Sequence, residues 1–239
     1  MKIRNFLANR CPALGKIKRV AWAAADTLVP RKTYSQHRED IFFANHLQEN
    51  SCYDIGYIDV GANHPTSISN TYLLYRKGYR GFLIEPNSEL TWLCRLFRPN
   101  DRVVQMGIAG KSSVLELKVS STPTISSFCN DHLLSRKQVI CASELVPVMS
   151  LDDAISCLPG TIGLLSIDVE GMNLEVLESA HSIALRSHFI CIEHDGIQEA
   201  AVLRSILEGL NFRYMATLGC NQIFENGHFK PGIKSTCSK

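Results

Sequence analysis

The stretch that most constrains what this chain can fold into is Tyr57–Pro65, YIDVGANHP. An apolar run ends in Asp59, and a tight turn follows through Gly61, Ala62, Asn63 and His64. This is the pattern of a buried parallel strand feeding a glycine turn, with Pro65 placed to open a helix whose N-terminal N–H groups could hold an anionic group. About 20 residues further on, a second apolar run (Gly81 to Ile84) ends in Glu85, near the spacing at which an acid reaches a ribose diol. Together the two runs describe a site for a nucleoside-containing cofactor.

Around that unit the chain alternates strand and helix. Strands are expected at Ile55–Asp59, Tyr79–Ile84 and Arg102–Gln105, and helices at Ser67–Lys77 and Ser88–Phe97. A βαβαβ order with short connections implies a right-handed parallel sheet. The pattern then breaks. Ser113–Val119 alternates apolar and polar like a half-exposed antiparallel strand, Thr122–Phe128 is a hydroxyl-rich loop, Asp131–Lys137 reads as a short helix and Val139–Met149 as an irregular strand. This insertion, about 111–150, is where substrate selectivity is expected to reside. The wound pattern resumes with a strand Gly163–Asp168, a helix over Leu174–Ala180, a strand Phe189–Ile192 leading into Glu193, His194 and Asp195, and a helix Ala200–Leu207. Phe212–Leu218 and Gln222–Glu225 form a terminal antiparallel hairpin. The expected organisation is a basic helical extension over 1–33, one α/β domain over 34–229 and a mobile tail over 230–239.

Charge is unevenly spread. The net charge of +2 conceals a head, residues 1–32, with eight Lys or Arg against the single acid Asp26, and a body with 17 basic residues against 22 acidic. The body is not a nucleic-acid surface, whereas the head could meet an anionic one. Within the head Ile17, Val20, Ala21, Ala24 and Leu28 share a helical face. Read functionally, it is a peripheral membrane helix; read structurally, it packs on its own domain or on a second copy in a homodimer. The structural reading is preferred because that face is mostly alanine. Before Glu39 and Asp40, Ser35 reads as a helix N-cap. Nine dispersed cysteines without a CxxC pair imply reduced thiols in a cytoplasmic protein rather than disulfides or a zinc site, and a docked head would place it at the inner face of a membrane. No run reaches the length of a membrane span.

The glycine turn discriminates among cofactors. A dinucleotide site needs G-x-G-x-x-G, but here the second position is Asn63 and the third glycine is missing. S-adenosylmethionine has no phosphate. It needs an acceptor for its ammonium (Asp59), close backbone approach (Gly61), mixed donors and acceptors (Asn63) and an acid for the ribose hydroxyls (Glu85).

These residues resemble the FkbM-type S-adenosylmethionine-dependent methyltransferases. The resemblance rests on YIDVGANHP, SNTYLLYRKGYRGFLIEPN (Ser69–Asn87), SQHRED (Ser35–Asp40), RPND (Arg98–Asp101), ISSF (Ile125–Phe128) and SIDVEGMNLEVL (Ser166–Leu177), and covers about residues 34–195. It implies a Rossmann-like class I fold, with a mostly parallel seven-stranded sheet, helices on both faces and a C-terminal antiparallel hairpin. It further implies O-methylation of a sugar or related hydroxyl, as in polysaccharide assembly. By position it assigns Asp59, Gly61 and Asn63 to the first cofactor motif, Glu85 with Pro86 and Asn87 to the ribose acid, and Asp168, Glu170 and Glu193 to the ends of the fourth and fifth strands. Two residues depart from the family pattern. Arg38 stands where a small residue is expected, and Asn173 stands where an acid is common.

Alignment of an oxygen with the S–CH₃ axis supplies much of such a reaction, and a weakly acidic hydroxyl also needs a base. Asp168, which also belongs to the cofactor set, is the first candidate for the base, with Glu193 and His64 behind it. Asp168, Glu193 and Asp195 could also gather a Mg²⁺, but spacing alone does not assign one, so no metal is expected. The expected partners are a small-molecule or glycan acceptor, no nucleic acid, and a membrane surface reached through residues 1–32. Three competing readings are a carboxylate O-methyltransferase, a non-catalytic module docked through the basic head, and a dinucleotide oxidoreductase.

Overall fold

The computed structural model describes residues 12–47, 51–120, 125–129, 134, 137–158, 160–230 and 232–233. In chain order the strands are β1 (Ser51–Cys52), β2 (Ile55–Val60), β3 (Gly81–Ile84), β4 (Arg102–Val104), β5 (Gly107–Ile108), β6 (Ser113–Ser120), β7 (Ile140–Met149), β8 (Ile162–Ile167), β9 (Ser187–Glu193), β10 (Phe212–Leu218), β11 (Asn221–Asn226) and β12 (Gly232–Ile233). The helices are α1 (Pro12–Leu28), α2 (Glu39–His46), α3 (Tyr72–Arg76), α4 (Ser88–Phe97), α5 (Leu151–Ala154), α6 (Asn173–Glu178), α7 (His181–Arg186) and α8 (Ile197–Gly209).

Seven strands form one sheet in the order β4-β3-β2-β8-β9-β11-β10. The five from β4 to β9 run parallel, and β11 lies antiparallel to both β9 and β10. β2, β8 and β9 are buried at every residue, as befits strands covered on both faces. Period-two alternation divides them between two cores. Ile58, Val60, Leu165 and Ile167 pack with Val176, Leu203 and Phe224 on one face. Tyr57, Leu164 and Phe189 pack with Phe43 and Leu74 on the other. The strand order reverses at β2, with β3 on one side and β8 on the other, and a crevice opens there beyond the carboxyl ends. The insertion folds as a second, three-stranded sheet in the order β5-β7-β6.

Several expectations are corrected. Pro65 does not open a helix: the chain from His64 to Thr71 is irregular and α3 has only five residues. The cause is local competition for backbone donors. His64 Nδ1 accepts from the Ser67 N–H at 3.1 Å, and Ser69 Oγ accepts from the Tyr72 N–H at 3.1 Å. Val139–Met149 is not irregular but pairs with β6 along its length, with a single register shift. Ser35 is not at the N-cap position of α2, although its Oγ accepts from the first-turn Asp40 N–H at 3.3 Å. Arg38 occupies the cap position at φ 71°, the left-handed conformation that explains why a small residue is expected there. The start of the tail is tied down, since Gly232 and Ile233 pair with Cys52 and Ser51. The expected helix at 131–137 lies largely outside the described residues.

Candidate active site

The crevice beyond β2, β3 and β8 is an open cleft at the strand ends. Gly61, Asn63, Glu85, Pro86, Asp168 and Glu170 come from the strand ends. The apolar wall is built by Ile84, Leu90, Met106, Ile108 and Leu117, and the insertion closes it with Ser126, Ser127 and Phe128.

Gly61 has φ 79°, and a Cβ there would lie 1.8 Å from the Asp168 carbonyl oxygen. β2 and β8 therefore meet backbone to backbone at this point, which is what the glycine permits. Asn63 is also left-handed, at φ 56°, a conformation that asparagine tolerates better than most residues. That geometry aims its N–H at Glu85 Oε2, 2.8 Å away, while the Asn87 N–H donates to Glu85 Oε1, also at 2.8 Å. The Glu85 carboxylate is thus held by two backbone donors at the end of β3, with lone pairs left for a diol. Its burial pushes its pKa up to about 7 despite these bonds. Asn87 supports this geometry rather than lining the cleft. Its Oδ1 accepts from the Glu89 and Leu90 N–H groups and caps α4.

Asp168 leaves the end of β8 at the cleft, its N–H bonded to the Val60 carbonyl at 3.0 Å. Its carboxyl group shares a hydrogen bond with Glu193, from the end of β9. Burial first, and then the neighbouring Glu193 charge, holds its pKa well above the usual carboxylate range. Next to it Glu170 is left-handed at φ 40°, and its carbonyl accepts from Ser127 Oγ at 2.7 Å. This bond ties the ISSF segment to the β8 loop. Asn173 Oδ1 accepts from the Val169 N–H at 2.9 Å, so the departure from the family pattern leaves an amide holding this loop.

Three further predicted residues do not line the cleft: Glu193, buried behind Asp168, and Asp59 and His64, which lie elsewhere. Asp59 is 4% exposed, and its side chain points away from the cleft into the second core. It accepts from Thr71 Oγ1, which in turn accepts from Arg98 Nη1 at 2.9 Å. His64 is 3% exposed and does not line the cleft either. Its Nδ1 is an acceptor for Ser67, its Nε2–H donates to the Arg19 carbonyl at 3.3 Å, and burial lowers its pKa. Asp59 is therefore a buried support of the turn and not an acceptor inside the cleft, and His64 is a structural ring and not a base. The apolar wall from Met106, Leu117 and Phe128 was missed in the sequence. Only ISSF gave a signal for it: the Phe128 ring packs against Gly107, where a Cβ would approach it to 2.7 Å.

The lining includes three acids and no Lys or Arg. Such a lining offers no cation to neutralise a pyrophosphate, while its carboxyl oxygens can accept from an ammonium and from ribose hydroxyls. S-adenosylmethionine fits the residues present: Glu85 would hold the ribose, the bare backbone at Gly61 would admit the methionine portion, and the apolar wall would cover adenine. Among the described residues no group of three His, Cys, Asp or Glu side chains is arranged to hold a metal ion.

The model of the methyltransferase FkbM domain matches residues 59–214. No curated protein sequence matches. Solved structures with some likeness include a human methyltransferase 10 domain containing protein, at 10% identity over 80% of each chain and a TM-score of 0.45. Another is a TehB-like SAM-dependent methyltransferase from Corynebacterium glutamicum, at 11% identity over 90% of this chain and 100% of that one, TM-score 0.45. A third is the N-terminal domain of human METTL16 in complex with SAH, at 12% identity over 79% of this chain and 67% of that one, TM-score 0.42. The mostly parallel seven-stranded sheet with its terminal antiparallel hairpin is the Rossmann-like class I architecture expected of such an enzyme. With the family match spanning well over half of the chain, the protein belongs to the FkbM methyltransferase family and is an S-adenosylmethionine-dependent methyltransferase.

Proposed function

We propose that the chain methylates a hydroxyl oxygen of a sugar, glycan or related small molecule. The observation that carries this reading is Asp168 at the cleft, with its pKa held well above the usual carboxylate range by burial and by Glu193 behind it. A carboxylate with a raised pKa is a stronger base, and a hydroxyl acceptor needs one, whereas a carboxylate acceptor does not.

When bound, S-adenosylmethionine supplies a methyl group on a positively charged sulfur. The chain's own residues hold and align the reactants. Glu85 would accept the ribose hydroxyls, and the wall of Leu90, Met106 and Leu117 excludes water from the base. Asp168 would take the proton of the acceptor hydroxyl, and Glu193 beside it would share that proton before its release to solvent, one proton per methyl group transferred.

The test is transfer of labelled methyl to a panel of sugars and glycans, compared with carboxylic acids. Asp168→Asn should bind S-adenosylhomocysteine with near-normal affinity and lose about 10²–10⁴-fold in kcat on hydroxyl acceptors. In the parent enzyme kcat should rise with pH on a limb above the ordinary carboxylate range. Label on acids alone, or an Asp168→Asn enzyme at full rate, would refute hydroxyl methylation through this pair.

A further inference from the structure

We propose that the outer face of α1, with Trp92 of the neighbouring α4, is a docking surface for an anionic lipid bilayer. α1 is fastened along one side only. Ala23 and Asp26 are fully buried. Asp26 accepts from Thr66 Oγ1 and Ser67 Oγ at 2.9 Å each and pairs with Arg31. Arg19 turns inward to Glu89, with Nε 3.0 Å from the carboxylate. Ala23, Asp26 and Arg19 are therefore used against the helix's own domain, and Ile17, Trp22 and Leu28 are left outside. Ile17 is 62% exposed, Trp22 63%, Leu28 79% and the adjoining Val29 66%. This reverses the alanine-rich face anticipated from spacing: the alanine at the contact is Ala23, and Trp22 points to solvent.

Charge complementarity identifies the occupant. Lys16, Lys18 and Lys32 are exposed around this face, and the one acid of the first 32 residues, Asp26, is turned inward and paired with Arg31. Outward charge on the helix is thus entirely positive beside exposed Trp and Leu, the combination by which an interfacial helix binds anionic lipid. The chain has two tryptophans, and both are here: Trp92 is 44% exposed, with Lys16 Nζ 4.7 Å above its ring. Trp and Lys together at a surface are the side chains that settle at the headgroup level of a membrane. No helix among the described residues is long and apolar enough to cross a bilayer, so the contact is peripheral. The face also lies on the back of the cofactor turn, because the Arg19 carbonyl receives the His64 N–H. Docking would therefore present the cleft in a fixed orientation to acceptors at the membrane surface.

The experiment uses the full chain with vesicles of phosphatidylcholine alone, or with about one-third phosphatidylserine. Expected results are co-sedimentation with the anionic vesicles, at least about tenfold weaker binding to neutral ones or in high salt, and a blue shift of tryptophan emission. Trp22→Ser with Leu28→Ser should weaken binding about tenfold or more, and so should Lys16→Glu with Lys32→Glu. Unchanged affinity for S-adenosylhomocysteine certifies that each variant is folded. Failure of the parent chain to bind anionic vesicles at low salt overturns the proposal, as does equal binding by both folded variants. A concentration-dependent dimer abolished by the Trp22 variant, without vesicle binding, would assign the face to a second copy instead.

Discussion

At Glu85 recognition and stability pull in opposite directions. The site needs a carboxylate with open lone pairs, and burying one at 5% exposure is unfavourable even with two backbone N–H donors. Its pKa is raised from 4.5 to about 7. Between those values the folded chain keeps a proton that the unfolded chain has lost, so stability without cofactor falls as pH rises through this window and levels off above it. The loss attributable to Glu85 is about 3 kcal/mol. Urea midpoints measured from pH 4.5 to pH 8 should show this decline in the parent protein and a flatter profile in Glu85→Gln. Because hydroxyl donors favour the ionised form, cofactor binding near pH 6 should also release a fraction of a proton, visible by calorimetry in buffers of different ionisation enthalpy. Glu85→Ala should weaken S-adenosylhomocysteine binding by roughly 10–100-fold, the worth of a hydrogen bond to a charged group.

Between elements, one buried network binds α4 to β2, β3 and the segment before α3. Arg98, at the end of α4, is fully buried. Its Nε donates to Asp101 at 2.8 Å and its Nη1 donates to Thr71. Asp101 also receives the Tyr57 hydroxyl at 2.8 Å and the Gly81 N–H at 3.0 Å. Arg98→Leu would leave Asp101 and Asp59 buried without their cation, at about 3–5 kcal/mol. The melting temperature should fall by roughly 10 °C or more for a domain of this size, and Arg98→Lys should recover little because one ammonium cannot span both acceptors. The RPND motif could be quoted from the sequence, but this role for it could not be read there. Strand existence was legible, because burial on both faces leaves unbroken apolar runs such as IGLLSI and FICIE, and the bounds of α4 were legible to the residue, although Asn87 was assigned to the cofactor and not to the cap it forms. What escaped was whatever depends on contacts distant in sequence. Spacing placed Asp59 at a strand end but could not say which face of the sheet it serves, and His64 beside a cofactor turn gives no sign that its ring is held by α1. The Met106–Leu117–Phe128 wall depends on how the second sheet folds back, which no local pattern encodes.

For the molecule as a whole, α1 acts as a strap across the back of the cofactor turn, and Asp26 is its pin. This fully buried carboxylate collects the Thr66 and Ser67 hydroxyls and Arg31, while Arg76 Nη1 donates to its backbone carbonyl at 3.2 Å. Asp26→Ala would leave two buried hydroxyls and a cation without their acceptor, a cost of about 2–4 kcal/mol spread over α1 and the loop after Asn63. Ile17, Trp22 and Leu28 are exposed, so what remains to hold the helix is Ala23 and the bonds of Arg19 and Thr27, and it should open locally before the sheet does. The expected outcome is faster hydrogen exchange over residues 16–28 and earlier tryptic cleavage after Lys16, Lys18 or Arg19, with the β2 and β8 amides still protected. Cofactor affinity should fall only a few-fold, since Glu85 and Gly61 are positioned by the sheet. If α1 stays as protected as in the parent, the strap is held by its remaining contacts and Asp26 is not its pin. If the β2 and β8 amides lose protection together with it, α1 is an integral part of the folding unit instead.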